Sequence, residues 1–230
     1  MTISEKKFNK IGEIFLILIA IMQTFRKPCT YVIILFTLFC VYFYKKISFS
    51  KRSLQLSILI VLPLIIEILF FWNNDSLLLG IKALEKSIVL FLFPIFIIGN
   101  YKMVDFYKIA KYYSVFTSLI VFCYFIAYIN IDTNYTTIYS KNDVYLWAIG
   151  YAFANYVSMH GPALNMHLDF VTIINFYFIF HLNKKSYFQT IFYSLLFLIS
   201  FFLVIFINSK LALANVIIGI IMIFFFELRK

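Results

Sequence analysis

Apolar residues run through this chain in long blocks broken by short polar interruptions, and they almost nowhere alternate with polar ones. Blocks such as Ser53–Trp72 and Gln189–Asn208 carry Leu, Ile, Val and Phe on every helical face. That pattern excludes the one-sided stripe of a helix lying on a soluble core and the period-two alternation of a membrane barrel strand. A hydrocarbon core offers no water to unpaired backbone groups, so such blocks must satisfy their own hydrogen bonds as helices. About 20 residues cross a core about 30 Å thick. By that measure the pattern predicts an all-α, polytopic transmembrane bundle of eight spans: Ile11–Phe25, Tyr31–Tyr44, Ser53–Trp72, Ala83–Ile98, Tyr112–Ile129, Ala163–Leu182, Gln189–Asn208 and Leu211–Phe226. The first two are short, and their Thr, Tyr and Lys flanks reach the interfaces by snorkelling.

Composition agrees with the pattern. Of 230 residues 63% are hydrophobic, 13% are charged and 30 are Phe, far from the balance of a soluble domain. Lys and Arg favour cytoplasmic loops, so their distribution orients the spans. With the N-terminus inside, the cytoplasmic set is Lys6, Lys7, Lys10, Lys45, Lys46, Lys51, Arg52, Lys102, Lys108, Lys111, Lys184, Lys185, Arg229 and Lys230. The outer set is Arg26, Lys27, Lys82, Lys86, Lys141 and Lys210. Fourteen against six predicts both termini inside and an even number of spans. The net charge of +10 then reflects topology and contact with anionic membrane lipid, and gives no basis for a nucleic-acid partner. Three lysines before the first block begin it as a secretory leader begins, but "QTFRKPC" follows with no small-residue cleavage site, so a retained first helix is expected. Cys29, Cys40 and Cys123 show no metal spacing and read as small buried hydrophobes.

One long connection, residues 130–162, falls outside, and its Tyr and Trp suit the headgroup zone; Val144–Tyr156 is expected to lie there as a short helix or re-entrant segment. The chain otherwise reads as a single transmembrane domain, 1–230. At the end of that connection Gly161 and Pro162 open a helix, with Gly at the cap and Pro at the first position. Given the orientation, polar residues gather on the outer side: His160, His167 and Asp169 at the sixth span, Glu67 at the third, Glu85 and Lys86 at the fourth, and Asn208, Ser209 and Lys210 at the last turn. Ionisable groups in a span pair or line a wet cavity, so an outward-opening cavity is expected. Lys82 and Lys86 stand four apart and repel unless an anion or Glu85 lies between them. Either an interfacial ion pair or a site for a phosphate, pyrophosphate or anionic headgroup fits these residues. His160 fits a general acid or base as well as a capping histidine. His167 and Asp169 are two apart and face different sides, so no metal site is expected. Phosphate loops and nucleophile elbows are absent from the sequence, and no cofactor is expected.

Three stretches resemble the O-antigen ligase and O-antigen polymerase superfamily of bacterial polytopic membrane proteins. "ALEKSIVLFLFPIFIIGN" (83–100) looks like its early helix with an acidic-basic start and a deep proline, here Pro94. "HGPALNMHLDFVTIINF" (160–176) is similar to the segment after its first long external loop. "ISFFLVIFINSKLALANVIIGIIMIFFF" (199–226) looks like the opening of its core, where a helix ends in Ser-Arg and the chain turns back. The resemblance implies a glycosyltransferase-like protein of the bacterial inner membrane in lipopolysaccharide or surface-polysaccharide assembly. Such proteins take a glycan from an undecaprenyl-pyrophosphate carrier at the periplasmic face, with no nucleotide sugar and no metal. It also implies a pyrophosphate-binding role for Ser209 and Lys210, where Lys replaces the family's Arg and loses the bidentate fork. Family members continue into a large periplasmic loop bearing catalytic His and Arg. The resemblance therefore implies an N-terminal portion, incomplete for catalysis. The alternative reading is a non-enzymatic, transporter-like or scaffold subunit that needs a partner chain.

Overall fold

The computed structural model describes residues 4–74, 76–81, 84, 95–98, 100–130, 146–181, 187–207 and 209–227. Among them there is no strand. The principal helices are α1 (Glu5–Met22), α2 (Arg26–Tyr42), α3 (Lys51–Leu69), α4 (Phe106–Ile129), α5 (Leu146–Tyr156), α6 (Gly161–His181), α7 (Tyr187–Ile207) and α8 (Lys210–Glu227). Helices therefore stand over seven of the eight expected spans, while the expected span Ala83–Ile98 lies largely outside the described residues. Four of them, α3, α4, α6 and α7, are long and apolar enough to cross a membrane, fewer than the eight expected. Pro28–Tyr42 and Lys210–Phe226 are apolar but shorter; α8, at 18 residues, reaches about 27 Å at 1.5 Å per residue. α1 spends its first half on charged residues, among them Glu5, Lys6, Lys7, Lys10 and Glu13.

The chain forms two compact units, Met1–Ile109 and Ala110–Lys230. In the first, α1 and α2 make an antiparallel hairpin. Phe8 stacks on Phe39 at 5.1 Å, and Phe15 meets Phe36 and Phe39 at 6.0 and 5.5 Å. Met103 lies on Gly12, where a Cβ would collide with its sulfur. Ser4 caps α1 by accepting from Lys7 N–H, and Ser50 caps α3 by accepting from Ser53 N–H at 3.1 Å. Two ion pairs, Lys102 with Glu5 at 3.1 Å and Lys108 with Glu13, hold the first half of α1 beside residues 102–108. Both stretches belong to the set that the charge count assigns to one face.

In the second unit α6 and α7 form an antiparallel pair: Phe178 meets Tyr193 at 5.1 Å, Phe176 meets Phe197 at 5.2 Å, and Asn175 reaches Ser200. α8 runs parallel to α6, with Asn215 against Asp169, Gly219 against Ile173 and Phe224 against Phe176. α7 shows how membrane surroundings invert the usual order. Its buried face carries Tyr193, Leu196, Ser200, Leu203, Val204 and Ile207, while Ile191, Leu195, Leu198, Phe202 and Ile205 are exposed. The polar residue points inward and the outward face is apolar, as lipid requires.

Of the stretch Val144–Tyr156, expected as a short helix or a re-entrant segment at the outer interface, residues 146–156 form α5. Phe153 of α5 is fully buried against Phe125, Tyr128 and Phe206. α5 ends in a turn in which Met159 N–H donates to Ala154 C=O at 2.9 Å and Ser158 takes φ 59°. That left-handed position is one glycine occupies at less cost. Ser158→Gly is expected to raise stability by about 0.5 kcal/mol, read as a slightly higher melting temperature in detergent.

Candidate functional site at helix α6

α6 carries three buried polar residues, as many as α4. Asp169 is 7% exposed, and Thr172 and Asn175 are completely buried. Three neighbours in the second unit, α4, α7 and α8, are tied to α6 by polar bonds. Tyr113 Oη of α4 and His167 Nδ1 share a hydrogen bond of 2.6 Å. Asn215 Nδ2 of α8 donates to Asp169 Oδ2 at 3.0 Å. Asn175 Nδ2 donates to Ser118 Oγ of α4 at 2.9 Å and to Ser200 Oγ of α7 at 3.4 Å. Thr172 returns its hydroxyl to Leu168 C=O at 2.6 Å. In lipid there is little hydrophobic force between helices, so close packing and such bonds, each on the order of 1 kcal/mol, hold the bundle.

Beside these bonds lie acceptors that nothing described satisfies. Thr117 Oγ1 and Asn175 Oδ1 belong to completely buried residues, Asn165 Oδ1 to a half-buried one, and none of the three has a partner among the described residues. Asn175, Ser118 and Ser200, joined by their hydrogen bonds, form a polar seam across the middle of α4, α6 and α7, and Ser114 and Thr117 lie on the same buried face of α4.

The residues singled out from the sequence fall into three groups. Lys82, Glu85 and Lys86 lie outside the described residues. His167 and Asp169 are brought together on α6 but are spent on helix-helix bonds, to Tyr113 and Asn215. His160, Ser209 and Lys210 stand at helix starts. His160 is exposed and occupies the cap position of α6, its carbonyl accepting from Ala163 N–H at 2.9 Å and Leu164 N–H at 3.1 Å. Gly161 and Pro162 therefore sit one position further into the helix than the sequence suggested. Ser209 Oγ accepts from Ala212 N–H at 3.3 Å and caps α8, and Lys210 is its exposed first residue. Because α6 and α8 are parallel and in register at Asp169 and Asn215, these two starts lie at one end of the second unit. The unpaired N–H groups of two helix N-termini, a histidine and a lysine thus share one end, an arrangement that favours an anion. Among the described residues no three of His, Cys, Asp and Glu cluster as metal ligands would.

Sequence reasoning missed Tyr113, Ser118, Asn175, Ser200 and Asn215. The signal was present in the spacing: Ser114, Thr117, Ser118, Val121, Phe125 and Tyr128 recur at three and four residues and share the buried face of α4. The five are single uncharged residues inside apolar runs, with no carboxylate, histidine or cation to set them apart. No protein-family model, curated protein or solved structure matches this chain.

Proposed function

We propose that this chain is an eight-span inner-membrane protein with both termini inside, and that it handles an undecaprenyl-pyrophosphate-linked glycan at its outer face. This is the role implied by its resemblance to O-antigen ligases and polymerases. The observation that carries the proposal is the shared end of α6 and α8, where Ser209 caps one helix, His160 the other, and Lys210 stands exposed. A pyrophosphate meets there the positive ends of two helix dipoles and a mobile ammonium. His160 is the candidate to move a proton at the acceptor hydroxyl.

Binding of undecaprenyl pyrophosphate to the protein in nanodiscs tests the reading. A charge-assisted contact contributes about 1.5–3 kcal/mol, so Lys210→Ala is expected to weaken binding by about 10- to 150-fold while leaving retention of undecaprenol, which lacks phosphate, unchanged. Equal affinity of the variant and the native chain for the pyrophosphate would remove Lys210 from the site.

A second reading, a non-enzymatic transporter-like or scaffold subunit, is favoured by one observation: the unpartnered Asn175 Oδ1 of the seam and Thr117 Oγ1 of the buried face of α4. A conduit needs polar groups to continue through the bilayer, and here they reach mid-helix. Solute flux in proteoliposomes that Asn175→Leu abolishes would favour this reading over the first.

A further inference from the structure

At the opposite end of α7 from the shared α6 and α8 starts, the opening turns of α4 and α7 enclose a cavity of about 270 Å³. Its polar lining is Lys111 of α4 and Gln189 of α7, and its remaining wall is largely aromatic, with Tyr112, Phe116, Phe192 and Tyr193. Tyr112 stands beside Lys111 at the mouth, and the other rings lie deeper. Phe116 lies five residues beyond Lys111, and Tyr193 four beyond Gln189, so at 1.5 Å per residue the deepest rings are set about 6–8 Å further along the helices than the polar mouth. Tyr193, 2% exposed, closes the floor against Phe178 at 5.1 Å. On the open side Tyr112 and Phe116, 39% and 40% exposed, stack at 6.4 Å.

The occupant must match a cation and an amide donor at the mouth and rings below. No carboxylate lines the cavity among the described residues, so nothing there neutralises Lys111, and the matching head is an anion. The volume lies just under the roughly 300–1,000 Å³ of a small-molecule site, and the deep wall opens sideways onto exposed apolar surface. Those features suit a molecule whose tail continues outside the cavity. Tyr112 stands in the first two turns of its helix, where tyrosines meet headgroups.

We propose that this cavity binds one anionic phospholipid, with its phosphate on Lys111 and Gln189 and the first part of an acyl chain along Phe116, Phe192 and Tyr193. Basic pockets between helix ends hold acidic headgroups by this combination of point charge and apolar wall. The site is separate from the pyrophosphate end proposed above, and it stands whether or not that reading survives.

The test is native mass spectrometry of the full chain released from detergent after incubation with phosphatidylglycerol or phosphatidylcholine of the same acyl composition. The native chain is expected to retain phosphatidylglycerol about fivefold better. Lys111→Gln should erase that preference, Lys51→Gln, at an exposed lysine of the first unit, should keep it, and Phe192→Ala should lower retention of both lipids. Circular dichroism confirms that each variant is folded. Equal retention of the two lipids by the native chain, or a preference that survives Lys111→Gln, overturns the proposal. So does displacement of phosphatidylglycerol by millimolar inorganic phosphate, which would identify a soluble-anion site.

Discussion

Phe153→Ala is expected to cost the second unit about 3 kcal/mol, the largest loss of any single truncation described here. Phe153 is completely buried and is the point at which three elements meet. Its ring lies 6.2 Å from Phe125 and 5.4 Å from Tyr128, both of α4, and 5.9 Å from Phe206 of α7, in each case steeply inclined. Edge-to-face pairs of this kind contribute beyond their area, and removing a buried ring leaves a cavity whose lining loses its contacts. Lipid tails are as apolar as the ring, so the transfer part of the loss is smaller than in water and the packing part remains. In detergent, thermal unfolding should fall by about 6–12 °C, given roughly 2–4 °C per kcal/mol at this chain length. A shift under about 2 °C would mean that α5 is not packed as described.

Gly150→Val is expected to cost about 2 kcal/mol through overpacking. A Cβ at Gly150 would run into the backbone carbonyl of Ile207, the last residue of α7, and a backbone atom within a helix cannot step aside as a side chain can. The contrast is Gly219. There a Cβ would meet the Ile173 side chain at 2.7 Å, and a rotamer change relieves much of the crowding. The order of effects, Gly150→Val well above Gly219→Val in loss of thermal stability, is the checkable outcome, and a reversed order would contradict the seating of α5 on α7.

How much of this was legible in the sequence depends on what each residue contributes. Helix existence was legible, because apolar blocks such as 189–208 leave a lipid-embedded chain no other backbone solution, and the short α5 was legible from its Trp and Tyr. Span length was less so. The blocks at the N-terminal end merge apolar and basic residues, and α1 begins at Glu5, well before the expected Ile11. The start of α6 was marked by Gly161 and Pro162 and that of α8 by the polar turn at Ser209, but their meeting at one end follows from the parallel packing of α6 and α8, which no local pattern encodes. The seam was hidden for another reason. Ser118, Asn175 and Ser200 are single neutral residues inside three apolar runs, and their convergence becomes visible only when the bonds between helices are traced. His167 and Asp169 had the opposite fate. They stood out because they are ionisable, and the structure commits both to neighbours.

The account rests on the shared start of α6 and α8 facing outward while the starts of α4 and α7 face inward. Sidedness labelling tests this most directly, with Cys29, Cys40 and Cys123 replaced by serine and single cysteines placed as Lys210→Cys and Lys111→Cys. A membrane-impermeant maleimide added to intact spheroplasts should label position 210 and reach position 111 only after the membrane is permeabilised. Labelling of position 111 in intact spheroplasts with position 210 protected would invert the topology and remove the outer-face role proposed for Ser209 and Lys210.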